Sequence, residues 1–408
     1  MPSFPVNGGH PTAGLVPAAR PSAGRRRRAA ARHALLFCAF AACASASPRL
    51  RPRPPERPRE MRGIWAECEG ANATLSSRAR IEEMFRRLEE AGVNTVFLQV
   101  YRGDKAWYRS GIADAGPYDA FYSREKACPL RLAIDMAHAR GMQLHAWVNV
   151  FRVWGGRDAK TIQALGKGAM TRDRSGKSIL DYPRHALPDG GYWLDPGDPV
   201  ARRHLLRVVR ELLERYPDLD GIHLDYARYP FDEKGKTDFG YGSASVAAFK
   251  KAAGAAPSRR TAAARARWDG WRRDQVTLFV GGAKRLTGKR GKALSVAVVA
   301  DEKKCRESTF QDWRRWLGEG LVDFVVPMNY SADRALVRAR AEKALSAAGA
   351  GKRVAVGLGA YKVLDSPAAL AAQVGDCRRL GALGVVLFSY DNLAKRPGLF
   401  GYLGRKVF

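Results

Sequence analysis

The sequence predicts an α/β fold, a single (β/α)8 barrel of the TIM type, with an N-terminal leader and an insertion after the fourth strand. Three observations predict it. Eight short apolar runs lie between Arg62 and Leu393, and most alternate with amphipathic helical stretches. Strand then helix, eight times over, argues for a parallel sheet that closes on itself. No Gly-rich dinucleotide fingerprint follows the first run, which speaks against an open doubly wound sheet. The runs end in polar or aromatic residues, where such barrels carry their chemistry.

The first strand is expected at Arg62 to Cys68, followed by a helix that Ser77 caps and Gly92 ends, with Ile81, Met84, Phe85 and Leu88 on one face. The second strand is expected at Thr95 to Tyr101, and Pro129 opens the next helix. The third is expected at Gln143 to Phe151, before a long loop to about Pro196 and a helix to Tyr216. The fourth, Gly221 to Tyr226, lies in Asp220-Gly-Ile-His-Leu-Asp225 and precedes a helical region with an insertion up to Leu286. The remaining strands are expected at Leu294 to Asp301, Asp323 to Tyr330, Val354 to Tyr361 and Gly384 to Tyr390, with helices between them. The domain reading is a leader at 1–46, a Pro/Arg-rich tether at 47–60, the barrel at 61–395 and a tail at 396–408.

The chain has 408 residues, 46% of them hydrophobic, enough for one large domain. Lys and Arg total 70 against 40 Asp and Glu, a formal net charge of +30. A polyanionic partner and a merely arginine-rich surface both fit that balance. The charge is spread along the chain and is not interleaved with aromatics, so no nucleic-acid partner is expected. Arg25 to Arg28 and Arg32 precede the apolar stretch Ala34 to Ala44, which has the length of a signal-peptide core and is too short to span a membrane. Ala44-Ser-Ala46 reads as a cleavage site, and Phe40-Ala-Ala-Cys43 reads as a lipobox that would anchor the chain to a membrane at Cys43. Both readings put the protein outside the cytoplasm, in the periplasm or cell envelope. Of six cysteines, Cys68 and Cys128 are placed near one rim and are the expected disulfide in an oxidising compartment, while Cys377 reads as a buried thiol.

Alternation sorts the strand faces. Trp65, Glu67, Phe97, Gln99, Tyr101, His145, Trp147, Asn149, His223, Asp225, Ser295, Ala297 and Asp301 are expected to face the barrel axis. On the sixth strand Phe324, Val326 and Met328 are expected outward and Asn329 inward. A purely structural barrel interior carries branched aliphatics, so this polar and aromatic face argues for a site. Asp225, with Asp301 or Glu302 as partner, forms the expected catalytic pair, because cleaving a glycosidic bond takes one acid and one carboxylate. A structural acid bonded to Arg228 or a backbone amide is the competing reading of Asp225. Glu67, in reach of Arg102, is placed in substrate binding. Trp147, Trp154, Trp193, Tyr101, Tyr226 and Tyr330 offer faces for sugar rings, and Gln99, Asp104, Asn149, Arg152, Arg228 and Asn329 offer polar contacts. His145 and His223 read as a hydrogen-bonded pair in preference to metal ligands, with no HExxH present, so no metal and no cofactor is expected.

Met61-Arg-Gly-Ile-Trp65, Asn94-Thr-Val-Phe97, Arg102-Gly-Asp104, His145-Ala-Trp-Val-Asn149, Trp193-Leu-Asp-Pro-Gly197 and Asp220-Gly-Ile-His-Leu-Asp225 occur in an order that resembles the glycosyl-hydrolase-like family 10 domain. The resemblance implies a (β/α)8 barrel, often exported or lipid-anchored, acting on glycans, with peptidoglycan strands as substrate for envelope members. The fourth strand is also similar to the D-G-x-D-x-D-x-x-E signature of family 18 chitinases, with His223 at the middle Asp and Asp225 at the last. The general-acid Glu would fall near Ala227 or Arg228 and is missing, which speaks against substrate-assisted chemistry and leaves a non-catalytic carbohydrate-binding barrel as the alternative.

Overall fold

The computed structural model describes residue 56 and residues 59–153, 156–231, 237–349, 351 and 353–408. The leader at 1–46 with Cys43, most of the tether, and Trp154 lie outside the described residues. Eight parallel strands form one sheet: β1 (Met61–Ala66), β2 (Thr95–Arg102), β3 (Gln143–Asn149), β4 (Gly221–Asp225), β5 (Ala293–Val299), β6 (Phe324–Asn329), β7 (Ala355–Gly359) and β8 (Gly384–Phe388). β1 pairs with β2 on one side and β8 on the other, with Trp65 opposite both Phe97 and Phe388, so the sheet closes. The (β/α)8 expectation holds.

Each crossover is a helix whose apolar face lies on the sheet. The helix Arg78–Glu90 starts where the Ser77 hydroxyl accepts from the Arg80 N–H, and it buries Ile81, Met84, Phe85 and Leu88. Asp198 caps Pro199–Arg215 in the same way through the Val200 N–H. After β4 the chain inserts Ser243–Ala253 before the 27-residue helix Ala262–Gly288. Residues 396–408, expected as a tail, instead form the helix Gly398–Lys406, which buries Leu399, Phe400 and Leu403. Gly404 lets it approach the first helix: a Cβ there would lie 2.1 Å from the Glu90 carbonyl oxygen. The barrel therefore runs beyond 395 to this last helix, whose three glycines hide its helical spacing in the sequence.

Two departures from alternation decide what faces the site. β2 carries a bulge: Gln99 is opposite Trp147, but Tyr101 is opposite Val148. The skipped residue turns Tyr101 outward into the layer under the helices, against the expectation, because a one-residue shift exchanges the faces. β6 is also reversed. Phe324, Val326 and Met328 fill the barrel interior with Trp65, Phe97 and Trp147. Asn329 points to the helices, where its Nδ2 donates to the Val337 carbonyl at 2.7 Å. The strand is apolar on both faces, as parallel strands are, so nothing in it marked the inward side.

The Trp193-Leu-Asp-Pro-Gly197 segment does structural work. Asp195 is fully buried and accepts from the Gly197 and Gly242 N–H groups, both at 2.9 Å, pinning the loop after β3 to the insertion after β4. Asp195→Ala is expected to cost about 2–3 kcal/mol, because it strands two buried N–H donors. Urea unfolding checks this, and a loss within experimental error would remove the pinning role.

The four domain cysteines are free, so Cys68 and Cys128 do not form the expected disulfide. The Cys68 Sγ donates to Gln99 Oε1 at 3.2 Å, and Cys128 meets the Tyr216 hydroxyl. Each thiol already has a local partner, and burial pushes the Cys68 thiol well up, away from the reactive thiolate.

Candidate active site

A cleft of about 400 Å³ opens at the C-terminal ends of the strands. Its floor is the Trp65 indole, whose Nε1 donates to His223 Nε2 at 3.0 Å across the barrel. His223 then carries its proton on Nδ1, against the Ser295 hydroxyl at 2.8 Å. Both ring nitrogens are committed, and burial holds the ring well below its ordinary range, in the neutral form that this arrangement requires. Trp65 and His223 mark one layer of the interior. Two residues further along the same strands, on the same face, come Glu67 and Asp225, and both line the cleft.

Asp225 is buried. Its Oδ1 accepts from the Tyr226 N–H at 2.7 Å and its Oδ2 from the Trp147 Nε1 at 3.2 Å. Burial raises its carboxyl above the usual range, opposed by the Tyr226 N–H, the Arg228 charge, the Trp147 N–H and the Arg152 charge. Glu67 is raised too, first by burial and then by the Asp391 carboxylate, against the Ser389 hydroxyl, Arg102 and Lys395. Ser389 Oγ donates to Glu67 Oε2 at 3.1 Å. The two acids therefore differ in company: Asp225 sits among donors and cations, Glu67 beside another acid.

The walls combine polar side chains and rings. Gln99 Nε2 donates to Asn149 Oδ1 at 3.3 Å, which fixes the orientation of both amides. Arg152 and Arg228 each lie over the Tyr226 ring, 5.0 Å from its centroid, and Arg228 also covers the Trp193 ring at 4.9 Å. Tyr226 adopts a left-handed backbone conformation (φ 55°), which sends the chain sharply out of β4. Tyr330 and Phe388 stack with centroids 5.4 Å apart at the opposite wall. Arg102 reaches the rim and pairs with Glu69 at 3.6 Å.

The structure thus brings Glu67, Gln99, Arg102, Trp147, Asn149, Arg152, Asp225, Tyr226, Arg228 and Tyr330 to one cleft. It sets the other expected residues elsewhere. Asp301 caps the helix Glu302–Glu307 by accepting from the Lys304 N–H, and Glu302 pairs with Arg314 at 2.8 Å. Neither lines the cleft, because β5 ends at Val299 and alternation stops with it. Tyr101 and Asn329 face the helices, as described. Trp193 lies behind Arg228 with its Nε1 on the Pro188 carbonyl. His223 lies below the floor, and His145 lines a separate hollow with Gln143, Asp323 and Arg353. Alternation alone does not say at which end of a strand a residue lies.

Asp104 is buried in a cluster with Thr161 and His204 and does not reach the cleft. Its Oδ2 accepts from the Thr161 N–H at 2.9 Å, and Thr161 Oγ1 is 3.3 Å from His204 Nε2. Burial, reinforced by Arg207, lowers His204 from 6.5 to about 4. The neutral ring therefore stabilises the fold above pH 6.5, and this contribution is lost as the pH falls through about 4. The Tm of the wild type is expected to fall more steeply across that window than that of His204→Gln; parallel curves would discount the ring.

Sequence reasoning missed Asp189. It stands in a Pro188-Asp-Gly-Gly191 turn with φ 52°, lines the cleft and pairs with Arg228 at 3.1 Å. Only the turn composition marks it.

Carboxylates, guanidiniums and aromatic faces around the C-terminal mouth of a (β/α)8 barrel define a glycosidase-type protein. The model of the family described as Glycosyl hydrolase-like 10 matches residues 60–367, and the chain belongs to that family. It is similar to "Glycosyl hydrolase DigH" of Escherichia coli K12, 25% identical over 345 residues that cover 73% of each chain. It is also 22% identical to "Glycosyl hydrolase YngK" of Bacillus subtilis over 311 residues, 67% of this chain and 54% of that one. Among solved structures, the PgaB (BpsB) glycoside hydrolase domain from Bordetella bronchiseptica has a TM-score of 0.63 at 15% identity, covering 84% of this chain and 98% of that one. The catalytic domain of β-amylase from Paenibacillus polymyxa has a TM-score of 0.58 at 12% identity, covering 85% and 97%. At such identities these structures share the fold.

Proposed function

We propose that the protein is an exported glycoside hydrolase that cleaves glycosidic bonds of a cell-envelope polysaccharide, peptidoglycan glycan strands first among them. The observation that carries this is the pair Asp225 and Glu67, two half- or fully buried carboxyls with raised proton affinity lining one cleft. Glu67, beside the Asp391 carboxylate, protonates the leaving glycosidic oxygen as the C–O bond breaks. Asp225, flanked by Arg152 and Arg228, works as the carboxylate, either by bonding to the anomeric carbon as the leaving oxygen departs or by taking a proton from the water that bonds there instead. Trp65, Trp147, Tyr330 and Phe388 supply ring faces for sugars. Arg102, Arg152 and Arg228 suit a sugar that bears a carboxylate, as the lactyl group of stripped peptidoglycan does. Export rests on the leader, and a lipid anchor at Cys43 would keep the barrel at a membrane.

Mass spectrometry of soluble products tests the reading. Purified peptidoglycan, with and without its stem peptides, is incubated with the wild type, Asp225→Asn and Glu67→Gln. Sugar fragments from the wild type, lost at least about 10³-fold in both variants, are the expected outcome. The second reading, a carbohydrate-binding barrel without catalysis, draws on Ala227 and Arg228 standing where family 18 chitinases carry their acid. Protein that pellets with the glycan and releases nothing would establish that reading and overturn hydrolysis.

A further inference from the structure

Behind Glu67 the chain is built around a second acid. The segment 67–72 after β1 wraps the Asp391 carboxylate, whose Oδ1 accepts from the Asn72 N–H at 2.8 Å and from Asn72 Nδ2 at 3.2 Å. Gly70 permits the wrap: a Cβ there would lie 2.2 Å from the Asp391 carboxylate. Asp391 is 5% exposed, and its Oδ2 has no hydrogen-bond partner among the described residues. Two residues earlier, the Ser389 hydroxyl accepts from Asn392 Nδ2 at 3.0 Å and donates to Glu67 Oε2 at 3.1 Å. One short segment after β8 therefore holds Glu67 with a hydroxyl and faces it with a carboxylate.

We propose that Asp391 is a positioning residue for Glu67: its buried negative charge keeps the proton of this acid pair on Glu67, in the form that can be donated to a leaving oxygen. The inference rests on the assignment of Glu67 as the acid of the cleft. Two carboxyl groups sharing one poorly solvated place cannot both ionise cheaply. Asp391 receives two N–H donors on one oxygen, while Glu67 receives a single hydroxyl. The other charged or titratable groups that face Glu67 are Arg102 from β2, Lys395 from the segment after β8, and Tyr330 at the end of β6. Arg102 and Lys395 favour ionised Glu67 and oppose Asp391; burial acts with Asp391. Asp391 does not itself line the cleft, and it acts through Glu67, which does.

The test reads the proton on Glu67 directly. Carboxyl ¹³C NMR of the full chain, with the Glu67 resonance assigned by its loss in Glu67→Gln, is titrated in the wild type, Asp391→Asn and Ser389→Ala. Removing Asp391 is expected to move the Glu67 midpoint down by about one pH unit. Removing the Ser389 hydroxyl is expected to move it up, because that donor favours the ionised form. Opposite shifts are what a merely structural role does not produce. The alkaline limb of kcat/KM on glycan is expected to follow in the same directions. An unmoved midpoint in folded Asp391→Asn overturns the proposal. If that variant does not fold, Asn72→Ala, which removes a side-chain donor from Asp391, is expected to move the Glu67 midpoint down, and an unmoved midpoint there overturns the proposal. If the wild type releases no sugar while the midpoints shift as stated, the catalytic reading fails and the acid pair stands.

Discussion

Asp225→Asn is expected to lose hydrolysis by at least about 10³-fold in kcat, which corresponds to about 4 kcal/mol of transition-state stabilisation. It is also expected to gain stability relative to the wild type as the pH rises. The carboxyl is buried and its proton affinity is raised above its ordinary 3.8, with burial as the leading cause. A raised acid stabilises the fold fully below its unfolded value of about 3.8, and that contribution is lost as the pH climbs through the higher folded value. Above that folded value the wild type carries the cost of a buried charge, which Arg228 and Arg152 offset only in part. Asparagine carries no charge. Its oxygen keeps the Tyr226 N–H, while the Trp147 N–H loses an acceptor, a cost that does not depend on pH. The difference in Tm between variant and wild type should thus grow as the pH rises above about 4, whatever its starting sign. Calorimetry over that range checks it. A flat difference would mean that Asp225 is not held as a strained charge, and full activity of the variant would remove it from the chemistry.

The same residue shows why part of this protein is legible in sequence. β4 alternates Ile222 and Leu224 with His223 and Asp225, so each face declares itself, and the structure agrees. Gln99, Trp147 and Asn149 were found by the same rule. The rule holds only inside an unbroken ladder. At β2 the bulge after Gln99 exchanges the faces and takes Tyr101 out of the interior. On β6, five of six residues are apolar, so no polar alternation distinguishes the inward face. Past β5 the ladder has ended, and Asp301 answers to the helix it caps. Asp189 enters from a loop about 40 residues downstream of β3, where the approach is set by a turn and by Arg228 and not by any periodicity. Asp391 likewise lies past the end of β8, in the short helix Tyr390–Leu393, where alternation no longer applies. Eight runs of the right length were therefore enough to give the barrel, while the second acid of the site required knowing where each strand stops.

Trp65→Ala is expected to cost about 3–5 kcal/mol, the range for emptying a buried aromatic site. Trp65 is 2% exposed and stands at the centre of the interior, where its ring meets Phe97 at 6.1 Å, His223 at 5.8 Å, Tyr330 at 6.4 Å and Phe388 at 6.0 Å between centroids. β7 makes room for it with Gly357, where a Cβ would come within 2.8 Å of the indole. The strands around it are hydrogen-bonded on both edges, so they cannot move inward to close the void. Substitution also strands His223 Nε2 as a buried acceptor. Trp65→Phe separates these terms: it keeps a ring in the layer but loses the N–H and one ring of the indole, so about 1–3 kcal/mol is expected from the unpaired imidazole and the smaller ring. Both values are read from urea midpoints at pH 7. A loss below about 1 kcal/mol for the alanine variant would show that the layer collapses freely. The consequence for the site follows from the covalent chain. Glu67 is two residues beyond Trp65, immediately after β1, so a fault in this layer displaces the acid as well as the sugar platform. In Trp65→Phe, which keeps β1 in place, KM for glycan should rise while kcat is largely retained.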